Sequence, residues 1–437
     1  MPLLIIAFGV ALQVYLTYKK ISPFLSLLIV AILVGLLLGM EPMALAASLE
    51  KGVGSTLSGL VLILCLGAVL GKILEASGAI NQITSNLIKN FGERHVQWAV
   101  LLTGFLVGLP LYYNAGFIIL VPLVFSVARR TGLPLLYIAI PTAASLSATH
   151  CFLPPHPGPV VLVNAFGADL GLTLLYGLIL VIPTVIIAGP FLGRLLKNVG
   201  AVNTQNSLHK LPEEAQNPPS AFSSFAIALL PVLLITLAVV INLFNPSPSV
   251  LLATINFLGN PNIALLVAVL MAVYVFGLRR GIAMSDVMKW LTNGITGIAM
   301  ILLIITAGGV LKEVLIDSGT GKYITSFSSQ WSINPYLFAW IITALLRVSL
   351  GSATVAGLTA AGIVSPLVTG GEVSPELMVL AVGAGSVFCS HINDTGFWMF
   401  KEFFNLSLQE TFLSWTVMES LMSILGLVGV LVLQLIL

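Results

Sequence analysis

Two short stretches of an otherwise oily chain hold side chains that could do chemistry. THCFLPPHPGP, residues 149–159, sets His150 and His156 among four prolines. SHINDTG, residues 390–396, offers Ser390, His391, Asn393, Asp394 and Thr395. Imidazoles titrate near neutral pH, so either stretch can take up and release a proton. A carboxylate such as Asp394 can do the same, or meet a cation. Hydroxyls and amides supply donors and acceptors together, which suits a polyhydroxylated ligand. Two further polar clusters interrupt apolar runs. They are Tyr112, Tyr113 and Asn114 in GLPLYYNAG, and Ser349, Ser352 and Thr354 in SLGSATVAG, just after Arg347.

These clusters need elements to hold them. Of 437 residues, 58% are hydrophobic and 8% charged, and the mean hydropathy is +1.08. Soluble proteins carry about 25% charged residues, so the composition predicts an all-α polytopic protein embedded in a lipid bilayer. With about 20 residues per span, hydropathy predicts ten full crossings, at 2–18, 22–40, 53–75, 134–166, 171–193, 222–243, 262–278, 291–316, 375–399 and 411–437. The apolar stretches 96–128 and 334–370 are each interrupted near the middle. Half of either is marginal for a crossing, so each is read as a re-entrant hairpin; the competing reading is two short spans apiece. The start, MPLLIIAFGVALQVYLTYKK, lacks a basic leader and a cleavage site and reads as a retained first span. Proline has no N–H donor and stops a helix. Pro154, Pro155, Pro157 and Pro159 therefore make 134–166 a broken helix, and the polar run inside 375–399 makes a second.

Basic residues set the orientation. Lys19, Lys20, Lys72, Lys89, Arg94, Arg129, Arg130, Arg194, Lys197, Lys210, Arg279, Arg280, Lys289 and Lys401 fall on one face of this layout, and Lys51, Lys312 and Lys322 on the other, with Arg347 inside the second hairpin. The positive-inside rule makes the richer face cytoplasmic and puts both termini outside. The polar linker 199–221 separates two halves, 1–198 and 222–437. AVLGKILEASGAINQIT (68–84) aligns with GVLKEVLIDSGTGKYIT (309–325), and the same offset of 241 pairs Pro134 with Pro375, Ser145 with Ser386 and His150 with His391. Each half holds an odd number of crossings, so the second enters the bilayer upside down relative to the first. Inverted repeats with interrupted segments at matching positions are the architecture of secondary transporters. Irregular backbone at membrane depth is tolerated only where protein buries it or a watery cavity receives it. The four breaks are therefore expected to meet around one site.

Half-helices that begin at a break aim free N–H groups into such a site, which suits a carboxylate. The expected substrate-binding residues are Tyr113, Asn114, Thr149, His150, His156, Ser352, Thr354, Ser390 and Asn393. Asp394, His391 and His150 are the expected proton-coupling groups. A carboxylate inside a span costs about 2.5–3.5 kcal/mol, so Asp394 must be paired, solvated or used. Plainer readings stand beside these. The histidines can cap free carbonyls, and His156 can simply fix the turn. Arg347 can pair with Asp394, hold a substrate carboxylate, or snorkel to the outer surface. Cys65, Cys151 and Cys389 read as packing residues. No nucleotide loop, zinc signature or basic nucleic-acid patch is present in the sequence. No cofactor or nucleic acid is expected, and the energy source is an ion gradient or a partner.

At this point the residues carry a resemblance. GLPLYYNAGFIILVPLVF, ATHCFLPPHPGP, LGSATVAG and SPELMVLAVGAGSVFCSHINDTGFWMFKEFFNLSLQET look like the gluconate:proton symporter family. That family includes gluconate, idonate and D-serine permeases of bacterial inner membranes. The resemblance implies proton-coupled uptake of a small hydroxylated monocarboxylate. It also implies the ion-transporter superfamily architecture, with paired hairpins and broken helices around the substrate. Family members commonly carry Glu at the hairpin tip where this chain has Asn114, and Pro where it has Thr395. An asparagine cannot titrate, so the resemblance leaves the proton to Asp394 or a histidine, or to a different coupling ion.

Other function classes are weaker. A channel of charged side-chain rings lacks its ring here. A hydrolase built on Ser390 and His391 fails because helix neighbours face different directions. The expectation is a non-enzymatic, proton-coupled sugar-acid symporter of the bacterial inner membrane, with a D-serine or other hydroxy-acid permease as alternative. Homo-oligomerisation is left open.

Overall fold

The computed structural model describes residues 2–92, 95–109, 111, 113–154, 156–199, 218–244, 247–319, 333–369, 373–392 and 394–437. Every regular element among them is helical. The first half runs α1 (Pro2–Tyr18), α2 (Pro23–Leu37), α3 (Pro42–Ala76), α4 (Ala79–Phe91), α5 (Val96–Gly108), α6 (Tyr113–Thr131), α7 (Leu135–Phe152), α8 (Pro157–Phe166) and α9 (Leu170–Ile186). The second runs α10 (Ala221–Leu243), α11 (Val250–Gly259), α12 (Pro261–Ala272), α13 (Met284–Asp317), α14 (Pro335–Leu350), α15 (Ala353–Thr369), α16 (Pro375–Gly385), α17 (Thr395–Phe403) and α18 (Val417–Ile436). Residues 200–217 of the expected linker lie outside the described residues.

The starts follow local chemistry. Proline occupies the first turn of α2, α3, α8, α12, α14 and α16, where its missing N–H has no helical partner to lose. Asp169, Ser220, Ser249, Asn334 and Ser374 each accept a first-turn N–H through the side chain. Large apolar side chains such as Ile182, Leu233, Leu270, Leu303 and Val428 remain exposed around the bundle, as a lipid-facing surface requires.

Hydropathy and structure part at several places. Six helical runs among the described residues are long and apolar enough to cross a bilayer, and the bent pair Pro42–Ser58 and Leu60–Ala76, at 44°, makes a seventh. The other apolar helices are shorter, because a hydropathy window adds residues across a break that the backbone cannot bridge. The stretch 375–399 is such a case: it is two short helices, α16 and α17, joined through 386–394. The expected span 53–75 starts earlier, at Pro42, and 291–316 starts at Met284. Helix α4 escaped notice because it is amphipathic. Asn81, Ser85 and Lys89 are exposed along one side while Ile80, Ile83 and Leu87 are buried, so its mean hydropathy is low.

The two longest helices, α3 and α13, lie against each other; α5 and α6 pack on α7, α14 on α16, and α15 between α8 and α13. Each interrupted apolar stretch is thus a helix pair laid against a broken helix. The α3–α13 crossing depends on Gly309, where an added Cβ would sit 1.8 Å from Thr56 Oγ1 and 2.9 Å from Thr56 Cβ. The Cβ cannot rotate away, so Gly309→Ala must separate the helices. The expected loss is about 1–3 kcal/mol, read as a lower unfolding temperature in detergent.

Candidate functional site

The first break is local in origin. After α7, Leu153 N–H still donates to Thr149 O at 3.2 Å, and His156 N–H donates to Leu153 O at 3.1 Å, so the chain turns instead of continuing. Pro157 restarts it as α8. His156 Nε2 is hydrogen bonded to the carbonyl of Gly108, which ties the break to the end of α5. Thr149 lies on the same seam, where a Cβ on Gly108 would come within 2.4 Å of its Oγ1.

The second break is held by α18 and its entry turn. Cys389 takes a left-handed backbone, φ 49°, and the carbonyls freed by the turn find side-chain donors. Thr416 Oγ1 donates to Ser390 O at 2.6 Å, Ser423 Oγ to Ala384 O at 2.6 Å, and Trp398 Nε1 to Ile392 O at 2.7 Å. Asp394 then caps α17, its Oδ1 accepting from Gly396 N–H at 3.0 Å. The other oxygen, Oδ2, accepts from Arg347 Nη2 and from Ser390 Oγ. Trp415 Nε1 in turn donates to Ser390 Oγ at 2.7 Å. Arg347, in the last turn of α14, is only 3% exposed. It does not snorkel; its Nη2 is committed to Asp394. Gly351, at φ 77°, makes the left-handed turn that ends α14 and leads on to α15.

Together these pieces wall a cavity of about 230 Å3. Tyr113 and Asn114 come from the start of α6, Ser147, His150 and Cys151 from α7, and Arg347, Ser352 and Thr354 from α14, α15 and the turn between them. Asp394 and Thr395 come from the second break, Trp415 from the turn before α18, and Glu419 from α18 itself. Of the residues singled out from sequence, Tyr113, Asn114, His150, Ser352, Thr354, Arg347 and Asp394 meet here. Four others do not line the cavity. Thr149 donates to Leu146 O at 2.9 Å, His156 holds Gly108, Ser390 stands behind Asp394, and His391 Nε2 sits 3.1 Å from Val348 O. Asn393 and Tyr112 lie outside the described residues.

An aromatic layer closes one side. Tyr113 packs edge-on against Trp415 at 5.7 Å between ring centres, Trp415 against Phe400 at 5.3 Å, and Phe400 against Phe404 at 4.9 Å. Within the Phe397-Trp398 pair, Phe397 is fully buried and Trp398 is 40% exposed.

Sequence reasoning missed Glu419; its partner Ser147 is one of the polar residues of the first broken helix. Glu419 is 2% exposed, and its Oε1 accepts from Ser147 Oγ at 2.7 Å. The rule that marked Asp394, a carboxylate inside an apolar stretch, marks Glu419 equally. Among the described residues, ten buried side-chain polar atoms lack a partner; five of them are Tyr113 Oη, His150 Nδ1, Arg347 Nε and Nη1, and Glu419 Oε2. All five are carried by residues that line this one cavity. Buried polar atoms are nearly always hydrogen bonded, so the concentration of unpartnered ones here makes this cavity the candidate site.

Residues 1–436 match the family described as GntP family permease. The chain belongs to that family. It is 47% identical over 437 residues to the high-affinity gluconate transporter of Escherichia coli (strain K12), covering 100% of both chains. It is 46% identical over 432 residues to the Gnt-II system L-idonate transporter of the same organism, covering 99% of this chain and 98% of that one. The gluconate permease of Bacillus subtilis (strain 168) is 40% identical over 452 residues, with 100% of both covered. Among solved structures, the Alcanivorax borkumensis YdaH transporter aligns with a TM-score of 0.64 at 18% identity over 97% of each chain. Neisseria gonorrhoeae MtrF aligns with a TM-score of 0.61 at 14% identity, over 96% of this chain and 94% of that one. These two likenesses concern the fold alone. As a GntP family permease the chain is a multi-pass membrane protein and not an enzyme.

Proposed function

We propose that this permease takes up gluconate together with protons across the bacterial inner membrane, by alternating access. The observation that carries the reading is Arg347. Two of its guanidinium nitrogens, Nε and Nη1, have no partner among the described residues, while the third is committed to Asp394. A carboxylate suits those donors. Asn114, Ser352, Thr354 and Tyr113 on the same walls suit the hydroxyls of a sugar acid, and the names of the relatives at 47% and 40% identity agree with that class.

In this reading the halves 1–198 and 222–437 are inverted repeats, with ten crossings, re-entrant hairpins at 96–128 and 334–370, broken helices at 134–166 and 375–399, and both termini outside. The matched offset of 241 between the halves supports it. So does the recurrence of a helix pair against a broken helix, α5 and α6 on α7 and α14 and α15 on α16. In this reading the proton is carried by a titratable side chain; of the three named from sequence, Asp394 and His150 line the cavity and His391 stands behind it. A second reading, L-idonate as the main substrate, is favoured by the relative of that name at 46% identity.

The test is uptake of labelled gluconate into proteoliposomes under an imposed inward proton gradient, with unlabelled idonate and D-serine as competitors. Gluconate should accumulate, a protonophore should abolish the accumulation, and idonate should compete while D-serine does not. Accumulation that persists without the gradient, or that D-serine inhibits best, overturns the reading.

A further inference from the structure

We infer that Glu419, and not Asp394, is the proton-binding site of the transport cycle; this rests on the proton-coupled reading above. The two carboxylates share a cavity but not an environment. Both oxygens of Asp394 are engaged: Oδ1 caps α17, and Oδ2 accepts from Arg347 and Ser390. A proton on Asp394 would break an ion pair and leave the Arg347 charge buried and uncompensated, which costs several kcal/mol. Glu419 is bound only through Oε1, to a neutral hydroxyl, and Oε2 is unpartnered. It forms no ion pair among the described residues. Glu419 can therefore bind or release a proton without breaking any charged contact.

The neighbours fit the role. Ser147 of α7 is bonded to Glu419, and the titratable and charged groups that line the cavity with it are His150 and Cys151 from α7, Tyr113 from α6, Arg347 from α14 and Asp394 from the second break. Arg347 and Asp394 cancel as a pair. A monoanionic ligand seated on the free nitrogens of Arg347 adds a negative charge to this enclosure, and a proton on Glu419 offsets it. By linkage, each ligand then favours the binding of the other. The written step is simple: the Glu419 carboxylate gains one proton from outside as the anion binds and returns it inside as the anion leaves. One titrating carboxylate and one monoanion make the loaded carrier equal in charge to the empty one.

Glu419→Gln tests this, because the amide keeps an oxygen for the Ser147 hydroxyl and loses the titration. In proteoliposomes the variant should exchange internal for external gluconate yet no longer concentrate it under an acid-outside gradient. Purified wild-type protein in weak buffer should take up about one proton per gluconate bound, and the variant none. Concentrative uptake by Glu419→Gln overturns the inference, as does undiminished proton uptake on binding. Should exchange also be lost, Glu419→Asp decides: it keeps a carboxyl, and exchange without concentration in that variant overturns the inference as well. A wild-type protein indifferent to the proton gradient would instead bring down the proton-coupled reading itself, and the two failures are thereby separate.

Discussion

Arg347→Ala is expected to abolish the proposed gluconate uptake and to destabilise the fold by about 3–5 kcal/mol, the usual consequence of leaving one member of a buried ion pair alone. The magnitude follows from burial: the Arg347 and Asp394 side chains are 3% and 17% exposed, and the pair joins the tip of α14 to the cap of α17. Removing the arginine strands a carboxylate that also holds Ser390 and the first turn of α17. The double replacement Arg347→Met with Asp394→Leu separates the two effects. An apolar pair of similar volume is commonly neutral or better for stability, so thermal unfolding in detergent should recover most of the loss, short of about 1 kcal/mol for the missing cap. Uptake should stay absent. Recovery of transport by the double variant would show that the pair is a strut only.

The second large effect is expected at Gly108. A Cβ there would meet Thr149 Oγ1 at 2.4 Å, with Leu146 Cδ2 and Thr149 Cβ both at 3.3 Å. The same residue offers its carbonyl to His156. Gly108→Ala should therefore push α5 away from α7 and unseat the first break, at about 1–3 kcal/mol for the overpacking. Adding Thr149→Ala removes the closest atom and leaves contacts that a shift of a few tenths of an ångström relieves. The folded yield by size-exclusion chromatography should fall in the single variant and return in the double. A single variant as well behaved as the parent would mean that the seam is looser than these distances imply.

Much of this arrangement is legible in the chain, and the exceptions have physical causes. The prolines at 154–159 announce the first break because no helix can run through them, and Asp394 stands out because a carboxylate in an apolar run needs a reason. What the sequence hides is where a side chain spends its bonding capacity. Thr149 and His156 look like ligands for a substrate, yet both serve the α5–α7 seam, which requires knowing that Gly108 is opposite. Glu419, a single acid inside the apolar stretch 411–437, is marked by the same rule as Asp394, but the sequence shows nothing for it to meet. Only packing reveals that Ser147, some 270 residues away in the chain, lies against it. Element type is thus set locally, whereas the site is set by contacts between the two halves.

The unequal lengths of the helices carry a consequence for the surrounding lipid. Helices α3 and α13 have 35 and 34 residues, which at 1.5 Å per residue is about 50 Å along the chain, with α3 bent by 44° near its middle. Helices α1 and α2, at 17 and 15 residues, reach only about 22–26 Å by the same rise. A hydrocarbon layer of about 30 Å, or 40–45 Å with its headgroups, matches neither. A long helix accommodates by leaning, bending or emerging, and a short one by thinning the bilayer or by flanking side chains, such as Lys19 and Lys20 after α1, reaching out to the headgroups. Since α13 packs against α15, whose first turn carries Thr354 into the cavity wall, acyl-chain length in the host membrane bears on the shape of the seat itself.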